Sequence, residues 1–166
     1  MPHASHKLEF LWVPDDPERP LDMASIEALF DVWSGRGLIE GDAPGRKANE
    51  LIKDGFVRIW IDSPGRMWLY ANQQGGFRVQ CPECRGHIAT EFNRAFRNWK
   101  LDGARCVVCP HCGTQTDLND CHHRPEAAFA SWAIVVSGVQ SLELGQGIEQ
   151  DVERALGGMK TVVRRV

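Results

Sequence analysis

The chain predicts an α+β fold: a mixed or antiparallel sheet with helices on one face, interrupted by a metal-binding insert. Three observations lead there. Apolar strand-like segments stand at both ends, from Leu8 to Val13 and from Met159 to Val166. Apolar residues at helical spacing follow the first of them and precede the last. The middle carries four cysteines in two matching pairs, Cys81-Pro82-Glu83-Cys84 and Cys109-Pro110-His111-Cys112.

Taken in order, Leu8-Glu9-Phe10-Leu11-Trp12-Val13 reads as a first strand, and Pro14, Pro17 and Pro20 close it because proline cannot extend a sheet ladder. Asp22 is a candidate N-cap for a helix in which Met23, Ile26, Leu29, Phe30 and Trp33 form an inward stripe, with Gly35 as its stop. A shorter helical piece from Arg46 to Lys53 ends at Gly55. Phe56 to Ile61 then alternates as a strand, with Val57, Ile59 and Ile61 on one face and Trp60 on the other. Pro64-Gly65 suits the centre of a type II turn, so Met67 to Ala71 is expected to return as a hairpin partner in a register that sequence leaves open. Gln73-Gln74-Gly75-Gly76 breaks the hairpin, and Phe77 to Gln80 leads into the first cysteine pair as a short strand.

Between the pairs, Thr90 is a candidate cap for a helix with Phe92, Phe96 and Trp99 on one face and Arg94, Arg97 and Lys100 turned elsewhere. Arg105 to Val108 enters the second pair, and a polar stretch runs from Thr114 to Pro125. Phe129 to Ser137 is expected as a strand, Gly147 to Leu156 as a helix stopped at Gly157-Gly158, and Met159 to Val166 as a last strand in the same sheet as the first. The whole corresponds to a split βαβ arrangement with a module inserted. Residues 1–76 together with 126–166 would form the body and 77–125 the insert.

Two Cys-Pro-x-Cys turns separated by 24 residues supply four thiolates for one tetrahedral ion, so Cys81, Cys84, Cys109 and Cys112 are the candidate ligands. Proline fixes each turn entry, while Gly86 and Gly113 free the chain just beyond. This segment, about residues 77–125, resembles the zinc ribbon class, which is defined by paired Cys-x-x-Cys knuckles. The resemblance implies one structural Zn²⁺, and it covers only that segment. The spacer is longer than the ribbon pattern, leaving room for an inserted helix or a treble-clef-like arrangement. Cys106/Cys109 is a competing ligand pair, but Cys109/Cys112 has the proline and glycine context of the first knuckle; Cys106, Cys121, His122 and His123 raise the question of a second metal site, and a small buried thiol and solvent-facing loop histidines account for them better.

Composition bounds the function. The 166 residues are 43% hydrophobic and 25% charged, which suits a folded domain and gives no run long enough to span a bilayer. The start lacks the charged and apolar regions of a secretory leader, so the expectation is a cytoplasmic protein with reduced thiols. Net charge is −4 over residues 1–75, +2 over 76–125 and −1 over 126–166. A modest local excess argues against nucleic-acid binding as the main task. Neither a His-Glu-x-x-His nor a Gly-x-Ser-x-Gly motif occurs, and a four-thiolate zinc has no open position for water.

These readings converge on a non-enzymatic, zinc-stabilised protein that binds another protein, in the manner of an adaptor, an inhibitor or a toxin-neutralising immunity protein. Its candidate partner surface is Arg58, Trp60, Trp68 and Tyr70, if those aromatics are not simply core. The alternative is a nucleic-acid-binding or regulatory zinc ribbon using Arg85, Arg94, Arg97, Lys100 and Arg105. An enzyme with a scattered site is a third reading.

Overall fold

A computed structural model describes residues 8–72 and 77–166, and for residues 100–102 the backbone alone. The expected break at Gln73–Gly76 and the Lys100 side chain lie outside the described residues. The chain opens with strand β1 (Leu8–Pro14) and helix α1 (Met23–Gly35). Asp22 caps the helix as expected, accepting the Ser25 backbone N–H and hydroxyl. Two short strands, β2 (Ile39–Glu40) and β3 (Ala43–Pro44), pair with each other, and a single 3-10 turn at Ala48–Glu50 is all that forms of the expected second helical piece. Strand β4 (Arg58–Asp62) follows, then β5 (Trp68–Tyr70) and β6 (Arg78–Gln80).

Helix α2 (Ala89–Asp102) fills the spacer between the cysteine pairs, starting one residue before Thr90 and without a side-chain cap. Three short strands come next: β7 (Cys106–Val108), β8 (Gln115–Asp117) and β9 (His122–Arg124). The expected strand from Phe129 to Ser137 is two, β10 (Ala128–Ala130) and β11 (Ala133–Ser137). Helix α3 (Ile148–Leu156) and strand β12 (Met159–Arg165) finish the chain.

The main sheet has the order β12-β1-β11-β4, with each neighbouring pair antiparallel. Counting only its strands and the two helices α1 and α3, the sequence runs β-α-β-β-α-β, the split βαβ or ferredoxin-like order. Alternation assigns the faces. Phe10, Trp12, Ile59, Ile134 and Val136 join Ile26, Leu29, Trp33, Ile148 and Val152 in one core, so α1 and α3 cover that side. That core takes Ile26, Leu29 and Trp33, with Phe30 packed at its edge, whereas Met23, expected in the same stripe, is exposed at the first turn of α1.

The other face is covered as well. Leu11, Val13, Ala133, Val135 and Val162 pack against Tyr70, Ala128 and Ala130. Those last three belong to a two-stranded antiparallel ribbon of β5 and β10. Here the structure corrects the expected hairpin: β4 pairs with β11, β5 pairs with β10, and the two do not pair with each other. Gly65 does take φ 76 in the intervening turn, as Pro-Gly requires. The chain then turns under the sheet, because β5 and β10 are apolar on both sides. Phe129, Leu69 and Met67 point away from the sheet into a third cluster with Val79, Ile88, Phe92, Val107 and Leu118. The ribbon is thus the middle layer between sheet and cysteine-bearing module.

One buried polar residue ties these layers. Asn119 is 3% exposed, and its Oδ1 accepts the Phe129 N–H at 2.8 Å while its Nδ2 donates to the Asp15 carbonyl at 3.4 Å. Its own carbonyl accepts from Lys160 Nζ on β12 at 3.3 Å. Asn119→Ala is expected to cost about 1–3 kcal/mol by stranding the Phe129 N–H in an apolar layer. Denaturant unfolding measures this, and a loss below the error of the method would show that Asn119 does not join the layers.

Candidate metal centre

The second cysteine pair sits at the tip of the β7–β8 hairpin, where Val108 pairs with Gln115 and the Cys109 N–H donates to the Thr114 carbonyl at 3.0 Å. The first pair follows β6, which pairs with β9 beyond the second cysteine pair. In both turns the chain reverses through a left-handed residue just after the second cysteine: Gly113 at φ 76 and Arg85 at φ 64. Gly86, expected to supply that freedom, does something else. A Cβ there would stand 2.4 Å from Cδ2 of His111, whose ring lies across the first turn with Nε2 3.1 Å from the His87 carbonyl. Gly86 therefore leaves space for the two turns to close on each other.

This brings four sulfurs together. Those of Cys81, Cys84, Cys109 and Cys112 all lie within 4.8 Å of one another, with Cys81 3.8 Å from Cys112 and Cys84 3.7 Å from Cys109. Such separations are far too long for disulfides, whose S–S bond is about 2.05 Å. Backbone N–H groups of Gly86 and His111 donate to Cys84 and Cys109, each at 3.4 Å, and the Thr114 hydroxyl lies 3.3 Å from Cys112 Sγ. Those contacts favour thiolates. Thr114 draws the Cys112 thiol down to about 6. The Gly86 N–H acts the same way on Cys84, but desolvation and the neighbouring sulfurs outweigh it and push that thiol up to about 11. Four thiolates gathered at one point would repel one another, and a single metal ion would resolve that conflict.

Cys106, Cys121, His122 and His123 do not join this four-sulfur set. Cys106 is half-buried on β7 and accepts from Gln115 Nε2 at 3.3 Å. Cys121 is buried, its thiol pushed up to about 12 by desolvation. His123 is a core residue, stacked on Phe77 at 5.4 Å, edge-on to Phe92 at 5.0 Å, with Nε2 3.0 Å from the Leu118 carbonyl. His122, on the same strand, is half-buried on the opposite face. Among the described residues only the four-cysteine set gathers three or more metal-ligating side chains.

The two candidate surfaces fare differently residue by residue. Tyr70 is fully buried, its hydroxyl donating to Asp62 at 2.8 Å, and desolvation raises its ionisation well above the usual range. Trp60 and Trp68 are half-buried, with the Arg58 guanidinium 5.2 Å over one ring and that of Arg66 4.8 Å over the other. Arg94 and Arg97 are exposed on α2, and Arg85 is exposed beside the first turn. Arg105 is engaged inside the protein: its Nε is 3.1 Å from each Asp117 carboxylate oxygen, and its Nη1 is 3.2 Å from Glu18. The polar stretch from Thr114 concealed β8, β9 and the Asn119 junction, since neither apolar alternation nor a motif marks them.

His123 generates a pH dependence. Burial pushes its pKa down from 6.5 to about 4. Between those values the unfolded chain binds a proton that the folded chain does not, so stability is full above pH 6.5 and falls as pH drops toward 4. The loss is about 2 kcal/mol by about pH 5. His123→Phe, which keeps the ring packing and cannot be protonated, should have a shallower decline than the parent between about pH 7 and 5. Identical slopes in the two proteins would contradict a buried neutral His123.

No family model matches the chain, and neither a curated protein nor a solved structure matches it.

Proposed function

We propose that this protein is a non-enzymatic, zinc-stabilised binding protein whose partner is another protein. Zinc is supported by the sulfurs: a tetrahedron with Zn–S bonds of about 2.3 Å has edges of about 3.8 Å. The Cys84–Cys109 and Cys81–Cys112 separations, 3.7 and 3.8 Å, fit those edges without rearrangement. Four thiolates fill the coordination shell, so the ion acts as a structural clamp within a zinc-ribbon-like segment whose spacer carries α2. Reduced thiols suit a cytoplasmic location.

The observation that carries partner binding is the pair of half-buried tryptophans, each under an arginine. Asp62, Pro64, Arg66, Trp68 and Arg164 bound an open depression of about 510 Å³. Tryptophan and arginine are the side chains most enriched where protein interfaces concentrate their energy. Tyr70 supports this surface from beneath by holding Asp62. Arg94 and Arg97, exposed and outside every ion pair among the described residues, favour nucleic acid as the second reading.

Elemental analysis of the purified protein should find one zinc per chain, lost from the Cys84→Ser/Cys109→Ser variant and kept by Cys106→Ser/Cys121→Ser. Metal retained by the first variant would overturn the ligand set. For the surface, Trp68→Ala should weaken capture of the native protein partner by about 2 kcal/mol or more with little loss of stability. A core tryptophan would instead cost about 3–5 kcal/mol of folding free energy. A large drop in melting temperature with unchanged partner binding would refute the surface. Salt-sensitive DNA or RNA binding that disappears in Arg94→Ala/Arg97→Ala would establish the second reading in its place.

A further inference from the structure

The ribbon formed by β6 and β9 carries an arrangement of cations that neither the metal centre nor the tryptophan surface uses. Arg78 and Arg124 are cross-strand partners, and so are Val79 and His123. Val79 and His123 face the core, so Arg78 and Arg124 share the outer face with Gln80 and His122. Like charges directly opposite each other weaken a strand pair unless an anion lies between them. No ion pair among the described residues involves Arg78, Arg85 or Arg124, whereas Arg19, Arg36, Arg58, Arg105 and Arg164 each meet a carboxylate.

Beside this face lies a cavity of about 390 Å³ to which Arg85, His122, Arg124 and Lys160 contribute. The cations arrive from three separate places: the first cysteine turn, β9 and β12. Lys160 is held there by its 3.3 Å bond to the Asn119 carbonyl, leaving further ammonium donors free to point elsewhere. Arg85 occupies the left-handed position that the second turn gives to Gly113, a conformation unfavourable for a side chain and ordinary for glycine. An arginine thus stands at a strained position on the wall of the cavity. Asp120 and Glu126 line it too, which disfavours a bare anion and suits a ligand carrying hydroxyl or amino donors next to its negative group.

We propose that this cavity binds a phosphate ester, with Arg85, Arg124 and Lys160 contacting the phosphate oxygens and Asp120 and Glu126 accepting from the neighbouring donors. Guanidinium forks match phosphate oxygens in pairs, which a single lysine cannot do. The phosphate can belong to a free nucleotide or to a nucleic-acid strand, and the site is independent of the protein-partner reading.

The test is titration calorimetry on the full metal-loaded chain with three probes: inorganic phosphate, adenosine monophosphate and a short single-stranded oligonucleotide. The monophosphate should bind saturably and more tightly than inorganic phosphate. Arg85→Gly should weaken it at least about tenfold, the loss of one charge-assisted contact. The same variant should keep its zinc and melt no lower than the parent, since it removes strain. Arg124→Gln should show the same loss of binding. Equal affinity for oligonucleotide and monophosphate assigns the site to a free nucleotide, and tighter oligonucleotide binding assigns it to a strand. Absence of saturable binding by every probe, or binding unaffected by both substitutions, would overturn the proposal.

Discussion

Convergence of four cysteine sulfurs on one point is the constraint on which the middle of this protein depends. Strands β6 to β9 are three residues each, too short to hold one another through ladder hydrogen bonds alone. Between them stand one helix and a small apolar cluster. A segment of this size cannot bury enough surface to fold securely by itself, and such segments rely on a metal or a neighbour. This one uses both. The sulfur cluster joins the first cysteine turn to the β7–β8 hairpin, and pairing of β6 with β9 closes the loop from the other side.

The neighbour is the β5–β10 ribbon, and its two-sided apolar character is what joins module and sheet. Ala128 and Ala130 are small enough to let the ribbon lie close beneath Leu11, Val13 and Val135. Phe129, between them, reaches the other way to Trp99 at 5.2 Å and Phe96 at 6.0 Å. One strand of three residues therefore serves two cores, and a polar residue at any of the three would break one of them. The buried Asn119 and the Arg105 pairs with Asp117 and Glu18 add direction to that contact, since hydrogen bonds fix an orientation that apolar packing leaves loose.

Charge is sorted by this architecture. Residues 76–125 hold the basic excess, yet the structure divides those cations into distinct groups. Arg105 is part of the internal frame, Arg94 and Arg97 stand in solvent on α2, and Arg85 and Arg124 line one cavity with Lys160, with Arg78 opposite Arg124 on β6. A count along the chain cannot separate these groups, because Lys160 lies far from the others in sequence and reaches them only through the β1–β12 pairing.

Sequence alone singled out the four cysteines that the fold gathers at one point, since the repeated Cys-Pro-x-Cys turn is a local device whose geometry depends on a few adjacent residues. It determined the strands at both ends, the helices α1, α2 and α3 and their apolar faces, because periodicity is also local. Tertiary structure decided what is paired with what. The Pro64-Gly65 turn is real, but the partner of β4 is β11, since burying the two apolar faces of β5 outweighs the short path back. Likewise β9 was hidden in a polar stretch, and only its pairing with β6 sets Arg78 opposite Arg124. Tyr70 became core, with Trp60 and Trp68 left half-buried, because the ribbon lies under the sheet and covers the first fully and the others in part. Long-range pairing follows from which apolar faces remain to be covered once the local elements exist, and that is a property of the whole fold.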